Sequence, residues 1–381
     1  MASAGFIQGY AQDVLGKFAP DSIDCCVTSP PYWGLRDYGI EPSVWGGEGC
    51  GHDWCAHLVN KQAGRRDTGR NFTGGGGNYQ QDGPVASFLQ ESQFCSLCNA
   101  WRGALGLEPT PQLFIEHMVS IFEQVRRVLK PSGTCWLNIG DSYCSTAPGT
   151  RNAPQHKGSP TAPEQWANMR PDTPPGLKPK DLCLIPFRLA IALQEAGWYV
   201  RSDIIWAKPN PMPESVRDRP TKAHEYIFLL AKSLKYHFDA DAVREPHVTF
   251  SEKSKMMGGR NHFGKRSGTP EQGKNKGNPN LHMANWDQAF HPKGRNIRSV
   301  WTVASQPFPE AHFAVFPSKL IEPCIKAGCP ADGLVLDPFS GAGTTALVSQ
   351  RLGRDFIGIE PNADYIAMAR RRLKKEKLLL P

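Results

Sequence analysis

The chain has 381 residues, enough to bury a full core and close to one domain of ordinary size with additions. Apolar residues make up 40% and charged residues 21%, values near globular averages that exclude a disordered or fibrous chain. No apolar run approaches the ~20 residues of a membrane span and no N-terminal stretch reads as a signal peptide, so the sequence predicts a soluble intracellular protein. The eleven cysteines are too dispersed for a disulfide framework, and most read as small buried hydrophobes.

In chain order, Phe6–Gly9 reads as a strand, a turn of helix runs through Val14 and Leu15, and Ile23–Val27 is a buried strand. That strand stops at Thr28-Ser29-Pro30-Pro31-Tyr32-Trp33. Neither proline donates a backbone hydrogen bond, and Pro31 holds Pro30 out of helical geometry. The result is a rigid extended corner with the Pro30 carbonyl free, the Ser29 hydroxyl before it, and the Tyr32 and Trp33 rings after it. A planar, uncharged group with an exocyclic NH2 suits such a corner. Its faces stack on the aromatics while the carbonyl and hydroxyl accept its amino hydrogens. On these six residues alone, a proline-terminated strand with core aromatics explains the pattern equally well.

Gly34–Gly39 continues as a loop beside this corner. From Gly46 to Trp101 the composition shifts to few apolar residues and a glycine run at Gly74–Gly77. Here lie Cys50-x-His52 and Cys95-x-x-Cys98, whose spacings suit a closed tetrahedral zinc site with a structural role. Cys55-x-His57 repeats the first spacing, which leaves the first pair open between the two, and scattered free cysteines are the plainer alternative. A segment this poor in apolar residues needs a staple to fold.

Thr110-Pro111 opens a capped helix with Leu113, Phe114, Met118, Ile121, Phe122, Val125 and Leu129 at helical spacing. Pro131-Ser132-Gly133 ends it, and Cys135–Ile139 is a strand closed by Gly140-Asp141-Ser142-Tyr143. Asp141 reads either as a pocket residue or as a turn stabiliser. Residues 145–180 are rich in Pro, Gly, Ser and Thr and read as a mobile loop, a candidate lid. Asp181 is the expected cap of a helix through Leu184, Ile185, Leu189 and Leu193, ended by Gly197. Strands follow over Trp198–Trp206 and His224–Leu230, with the rigid turn Lys208-Pro209-Asn210-Pro211 between them.

The formal charge is +8, and its distribution matters more than its total. Residues 247–298 hold ten Lys or Arg (253, 255, 260, 265, 266, 274, 276, 293, 295, 298) against the three acids Glu252, Glu271 and Asp287. A polyanionic partner is the natural inference, and a solvated loop the plainer one.

Near the C-terminus, Leu334-Val335-Leu336-Asp337-Pro338-Phe339-Ser340-Gly341-Ala342-Gly343-Thr344-Thr345 is a strand, a glycine turn and the start of a helix running to about Leu352. Gly341 and Gly343 let a ligand approach the backbone, and a helix N-terminus offers free N–H groups. The next strand, Asp355–Ile359, ends in Glu360, an acid placed to grip a ribose through its hydroxyls. A last helix, Asn362 to about Lys375, turns Tyr365, Ile366, Met368 and Ala369 inward and carries a basic end.

Together, Ser29-Pro30-Pro31-Tyr32 and Asp337-Pro338-Phe339-Ser340-Gly341-Ala342-Gly343-Thr344-Thr345 resemble the amino-methylating DNA methyltransferases. These enzymes move a methyl group from S-adenosylmethionine to an exocyclic base nitrogen, cytosine N4 or adenine N6. The target-amine motif precedes the cofactor motif, as in the permuted β-type members, and the resemblance covers nearly the whole chain. It implies an α/β fold: a Rossmann-like methyltransferase sheet with helices on both faces, circularly permuted, with a small zinc-bound insertion and a basic target-recognition region.

The implied division is residues 1–45 and 106–240 as two parts of the catalytic domain, 46–105 as the zinc-binding insertion, 241–298 as the target-recognition region, and 299–381 as the cofactor-binding part. Implied catalytic residues are Ser29, Pro30, Pro31 and Tyr32. Implied cofactor contacts are Asp337, Pro338, Phe339, Gly341, Gly343, Thr344, Thr345 and Glu360. The segment Ala311–Leu320 is similar to the one that meets the methionine end of the cofactor, which adds Phe316 and Lys319. The family's acid for the adenine is here Tyr10, with Asp13 the nearest substitute.

Related enzymes carry a Cys-x-His pair just before a tryptophan, here Trp54, which favours Cys50 and His52 with Cys95 and Cys98 as the zinc ligands. Asn210 and Pro211 fall where the family packs the flipped base. Pro323-Cys324 has the look of the nucleophile of ring-carbon methyltransferases, but its place in a helix excludes that role. The expected partner is double-stranded DNA, with phosphate contacts from Lys and Arg and a few base-edge contacts, in the cytoplasm of a prokaryote or encoded by a phage. A restriction endonuclease is a candidate partner. Serine before Pro-Pro-Tyr favours cytosine over adenine; an RNA base or a protein amide is a more distant substrate.

Overall fold

The computed structural model describes residues 5–34, 39–61, 86–144, 173–246, 293–306 and 315–377, with backbone only at 56–61 and 86–90. The candidate lid over 145–172, most of the basic segment (247–292) and Ala311–Ala314 lie outside the described residues. The strands are β1 (Gly5–Gln8), β2 (Ile23–Thr28), β3 (Ser43–Trp45), β4 (Ala56–Lys61), β5 (Ala86–Glu91), β6 (Trp101–Gly103) and β7 (Leu129–Ile139). They continue with β8 (Tyr199–Ala207), β9 (His224–Ala231), β10 (Val300–Thr302), β11 (Leu334–Asp337) and β12 (Asp355–Glu360). The helices that frame the sheet are α1 (Ala11–Leu15), α2 (Pro111–Val128), α3 (Ile185–Glu195), α4 (Ser318–Gly328), α5 (Thr344–Arg351) and α6 (Ala363–Lys377).

Eight strands form one sheet in the order β1-β12-β11-β2-β7-β9-β8-β10. Only β9 runs antiparallel to its neighbours. Both faces are covered, as a mostly parallel sheet requires. On β7, Cys135, Leu137 and Ile139 join the core cluster beneath α1, α2 and α3, whereas Trp136 joins the cluster that holds Leu320, Ile321 and Ile325 of α4. This period of two is the strand signature of two-sided burial. Against that second face α4 packs on α5, and α5 on α6.

The register places the functional motifs. Gln8 pairs with Glu360, Asp337 with Gly358 and Thr28 with Leu137, so the carboxyl ends of β1, β12, β11, β2 and β7 share one edge. Because β9 is antiparallel, its first residues, His224 to Tyr226, reach the same edge opposite Ala207 and Ile139. In open α/β sheets that edge is where ligands bind.

Two local expectations are corrected. Asp181 does not cap α3: its carboxylate closes the preceding turn by accepting from Lys178 N at 2.8 Å. The cap position is Leu184, left-handed at φ 57°, and Asp141 Oδ1 accepts from Ile185 N at 3.1 Å. Pro186 in the first turn was the signal for this start, since its missing N–H costs nothing there. Pro131–Gly133 does not separate α2 from a strand. The helix ends at Val128 and β7 begins at once, pairing Leu129 with Ile23 and then Thr134 with Cys25, so the intervening residues bulge out. The Thr110 cap is as expected, its hydroxyl accepting from Leu113 N at 3.2 Å.

Candidate active site and candidate metal centre

Asp337, the last residue of β11, is 2% exposed. Its Oδ1 accepts from Thr28 Oγ1 at 2.6 Å and from Phe339 N at 3.1 Å, and its Oδ2 from Thr345 Oγ1 at 2.7 Å. Thr28 immediately precedes Ser29, so one carboxylate ties together two motifs 309 residues apart in sequence. Burial pushes Asp337 up to about 6, and the three donors act against that rise. Thr344 and Thr345 are buried with their hydroxyls engaged, Thr344 accepting from Arg372 Nη1 at 3.1 Å, so they shape the loop from behind.

The two glycines of the turn do different work. Gly343 has φ +75°, and a Cβ there would lie 2.6 Å from the Ala369 Cβ of α6, so this glycine lets helix and loop close up. Gly341 has φ +49° and, among the described residues other than its chain neighbours, no atom within 4 Å of where a Cβ would project; ligand approach therefore rests on Gly341. The Gly341 N–H donates to Glu360 Oε2 at 2.9 Å, and Asn362 N donates to Glu360 Oε1 at 3.0 Å. Burial pushes Glu360 up to about 7, with those two N–H groups opposing it. Each oxygen keeps a second lone pair for a hydroxyl donor.

Beside this loop, Ser29–Tyr32 leave β2 in irregular backbone. Among the described residues the Pro30 carbonyl has no hydrogen-bond partner. The Tyr32 hydroxyl donates toward Glu225 Oε2 at 2.7 Å and Asn138 Oδ1 at 3.2 Å, and Ser29 Oγ lies 3.4 Å away as a donor to it. Lys208 Nζ pairs with Glu225 Oε1. A Cβ on Gly140 would come 2.6 Å from Tyr32 Cε2, so the bare backbone at the end of β7 makes room for the ring. A hydroxyl and a carbonyl, both able to accept, thus face the edge beside the glycine loop.

The ligand atoms of Cys50, His52, Cys95 and Cys98 lie within 4.8 Å of one another, and Cys98 Sγ is 3.4 Å from His52 Nδ1. Tetrahedral zinc, with Zn–S about 2.3 Å and Zn–N about 2.0 Å, needs donors spaced at about 3.5–3.8 Å, so the cluster fits that ion. Gly47 admits it: a Cβ there would fall 2.5 Å from Cys98 Sγ and 2.8 Å from His52 Cε1. Cys55 is exposed and its thiol lies 3.1 Å from Asp53 Oδ2, which leaves Cys50 and His52 as the first pair.

The segment is docked by Trp45 and Trp101, whose rings stack on His117 of α2 at 4.3 and 5.4 Å. His117 Nδ1 is held by Glu108 Oε1 at 2.9 Å.

Comparison with known proteins places this geometry. A family model described as DNA methylase, covering N6 and N4 amino-methyltransferases, matches residues 23–371. The type II methyltransferase M.Cfr9I of Citrobacter freundii is 38% identical over 373 residues, 98% of this chain and 88% of that one. M.XycI of Xanthomonas campestris pv. cyanopsidis is 39% identical over 96% of this chain and 86% of its own. The chain belongs to this DNA methylase family. It is an S-adenosylmethionine-dependent DNA methyltransferase of the N4/N6 class. A solved structure described as PvuII DNA methyltransferase (cytosine-N4-specific) superposes with TM-score 0.52 at 16% identity, over 100% of this chain and 92% of that one, and shares its fold.

Several expected residues of the methyltransferase lie elsewhere than the glycine loop. Asp13 is exposed on α1, which starts beside Glu360 because Gly9 N donates to the Glu360 carbonyl at 3.2 Å. The Tyr10 hydroxyl donates to the Glu41 carbonyl at 2.7 Å. Phe316 is half-buried against the second core and Lys319 is exposed in the first turn of α4. Among the described residues, none of Asp13, Phe316 and Lys319 hydrogen-bonds or ion-pairs with that loop.

Trp33 is not a stacking face: it is 7% exposed and its Nε1 donates to the Glu108 carbonyl at 2.9 Å. Asn210 bonds Ser305 through both amide atoms, so its side chain staples two loops of the methyltransferase. Asp141 uses Oδ1 as a turn and helix cap, with Ser142 N at 2.9 Å, while its buried Oδ2 stands 3.9 Å from Lys222 Nζ. Cys324 is fully buried, and burial pushes its thiol far above the ordinary range, consistent with an inert residue. Sequence reasoning missed Asn138, Lys208 and Glu225; a carboxylate just before the apolar run Tyr226–Ala231 was the one available signal.

Proposed function

We propose that this methyltransferase transfers the methyl group of S-adenosylmethionine to the N4 of a cytosine flipped out of duplex DNA. The observation that carries the reading is the corner at the end of β2. There Ser29 Oγ and a Pro30 carbonyl with no hydrogen-bond partner among the described residues stand beside the glycine loop, to which Asp337 ties them through Thr28. An exocyclic amine is a weak nucleophile because its lone pair is delocalised into the ring. Accepting its two hydrogens at Ser29 and Pro30 localises that pair and aims it at the sulfonium methyl, so positioning and preorganised dipoles supply the catalysis. The N–C bond forms as the S–C bond breaks, a proton leaves the nitrogen, and no covalent enzyme intermediate is needed. Unstacking costs a few kcal/mol; stacking on Tyr32 returns about 1–3 kcal/mol. Serine makes a milder demand on the amine than a carboxylate, which favours cytosine over adenine.

In this reading Asp337, Pro338, Phe339, Gly341, Gly343, Thr344, Thr345 and Glu360 form the cofactor side, with Glu360 at the ribose and Asp13, Phe316 and Lys319 at the rim. Cys50, His52, Cys95 and Cys98 hold a structural zinc that folds residues 46–105, since four protein ligands leave no open position. The order of motifs corresponds to the circularly permuted β-type arrangement, residues 241–298 contact the target sequence, and a restriction endonuclease is a candidate companion.

Mass spectrometry of nucleosides from unmethylated DNA, incubated with the protein and labelled S-adenosylmethionine, tests the base. Label in N4-methylcytosine is expected. Label in N6-methyladenine keeps the chemistry and reverses the base, and label in neither moves the substrate to RNA or protein amides.

A further inference from the structure

The residues around Tyr32 carry more than the proposed chemistry uses. Glu225 is the second residue of β9 and Asn138 the last but one of β7, and the antiparallel pairing of those strands brings both to the end of β2. Asn138 is 3% exposed; its Nδ2 donates to the Tyr226 carbonyl at 3.0 Å, which turns its Oδ1 toward the Tyr32 hydroxyl. Glu225 accepts from Tyr32 with one oxygen and pairs with Lys208 through the other, its side chain only 18% exposed. A carboxylate cannot donate. The Tyr32 proton therefore points to Glu225, which at 2.7 Å is nearer than Asn138 Oδ1 at 3.2 Å.

With that proton committed, Ser29 lies against the oxygen of Tyr32, which can only accept from it. Every hydrogen in the chain then runs one way, Ser29 to Tyr32 to Glu225, with Lys208 as counter-ion. The lone pairs of Ser29 Oγ are left for an incoming donor.

From this arrangement we infer that Glu225 is a positioning residue of the methyl-transfer site. It fixes the direction of the Ser29–Tyr32 hydrogen bond, so that Ser29 presents an acceptor, not a donor, to the exocyclic amine. The inference rests on the reading of Ser29–Tyr32 as the base corner. A role for Glu225 limited to pairing with Lys208 across the β8–β9 connection would instead leave methyl transfer indifferent to the Glu225–Tyr32 hydrogen bond.

The experiment is a double-mutant cycle in single-turnover methyl transfer to duplex DNA, with S-adenosylmethionine affinity and melting temperature measured alongside. Glu225→Gln offers an amide that can donate to Tyr32 and reverse the chain. The rate is expected to fall roughly ten- to hundredfold, the loss of one hydrogen bond to a charged group, with cofactor affinity and melting unchanged. Tyr32→Phe removes the same bond from the other side. Glu225→Gln added to Tyr32→Phe is expected to cost nothing further.

Should Glu225→Gln melt early, Glu225→Asp keeps the charge for Lys208 and shortens the reach to Tyr32, and is expected to behave as Tyr32→Phe does. A wild-type rate in Glu225→Gln, or a full additional loss on the Tyr32→Phe background, overturns the inference. Full activity in Tyr32→Ala would instead remove the reading of the corner itself.

Discussion

The glycine loop after β11 and the proline corner after β2 leave adjacent strands, yet they are held by different kinds of partner. In the loop, two of the three donors to Asp337 come from two and eight residues away, Thr28 of β2 supplying the third, and Gly341 is held by a carboxylate 19 residues on. In the corner, Tyr32 is held by Asn138 and Glu225, 106 and 193 residues away. The loop is held mostly by its own stretch of chain, with β2 reaching it at Thr28 and Val27, while the corner is assembled by the sheet. In the proposed reading, the strand–turn–helix unit supplies most of the cofactor site, whereas placing an amine acceptor against the base needs β2, β7 and β9 together.

That contrast can be broken from either side. The largest effect is expected from Gly341→Val, which places a branched side chain at φ +49° in the space left open for a ligand. Calorimetric titration should show no S-adenosylmethionine binding, and near-wild-type affinity would remove Gly341 from the site. Next in size is the metal cluster. Cys95→Ser combined with Cys98→Ser should release bound metal, seen by elemental analysis, and lower the melting temperature by at least ~5 °C. An unchanged melting curve would contradict a structural zinc.

Gly343→Ala is expected to cost about 1–3 kcal/mol, because its Cβ would meet Ala369 and its backbone stays left-handed. Denaturant melts measure that loss, and a neutral result would return Gly343 to ligand approach.

A comparable effect, spread over a range of pH, is the dependence of stability on protonation. Burial raises Glu360 from 4.5 to about 7, so the folded state holds this proton more tightly than the unfolded chain. The linked stability is fully present below pH 4.5 and is lost as pH rises toward about 7. At about 1.4 kcal/mol per unit, the wild type should lose up to roughly 3 kcal/mol relative to Glu360→Gln across that window. Parallel slopes for the two proteins would contradict the buried, proton-binding carboxyl.

The same contrast explains what could be read from sequence. Asp337–Thr345 and Glu360 were legible because strand, glycine turn, helix and acid follow one another within a few turns of chain. The Cys50, His52, Cys95 and Cys98 cluster was legible because metal ligands come in short spacings, although spacing alone did not separate Cys50 from Cys55; the resemblance favoured Cys50, and the fold brings it to the cluster. Asn138, Lys208 and Glu225 were not, since nothing local reveals that the end of β7 and the start of β9 meet the end of β2. The misreading of Trp33 has the same origin: six residues cannot tell a ring that stacks on a ligand from one whose N–H reaches Glu108 in the core. Asp181 stands close enough in sequence to suggest a cap, but Asp141, 44 residues before Ile185, supplies the acceptor.

The central claim is that one edge carries two separable functions, a loop that binds S-adenosylmethionine and a corner that presents the base. Tyr32→Ala, assayed for both cofactor affinity and methyl transfer to duplex DNA, tests it most directly. The account predicts cofactor binding close to wild type with transfer abolished. Retained transfer, or loss of cofactor binding together with transfer, would contradict it.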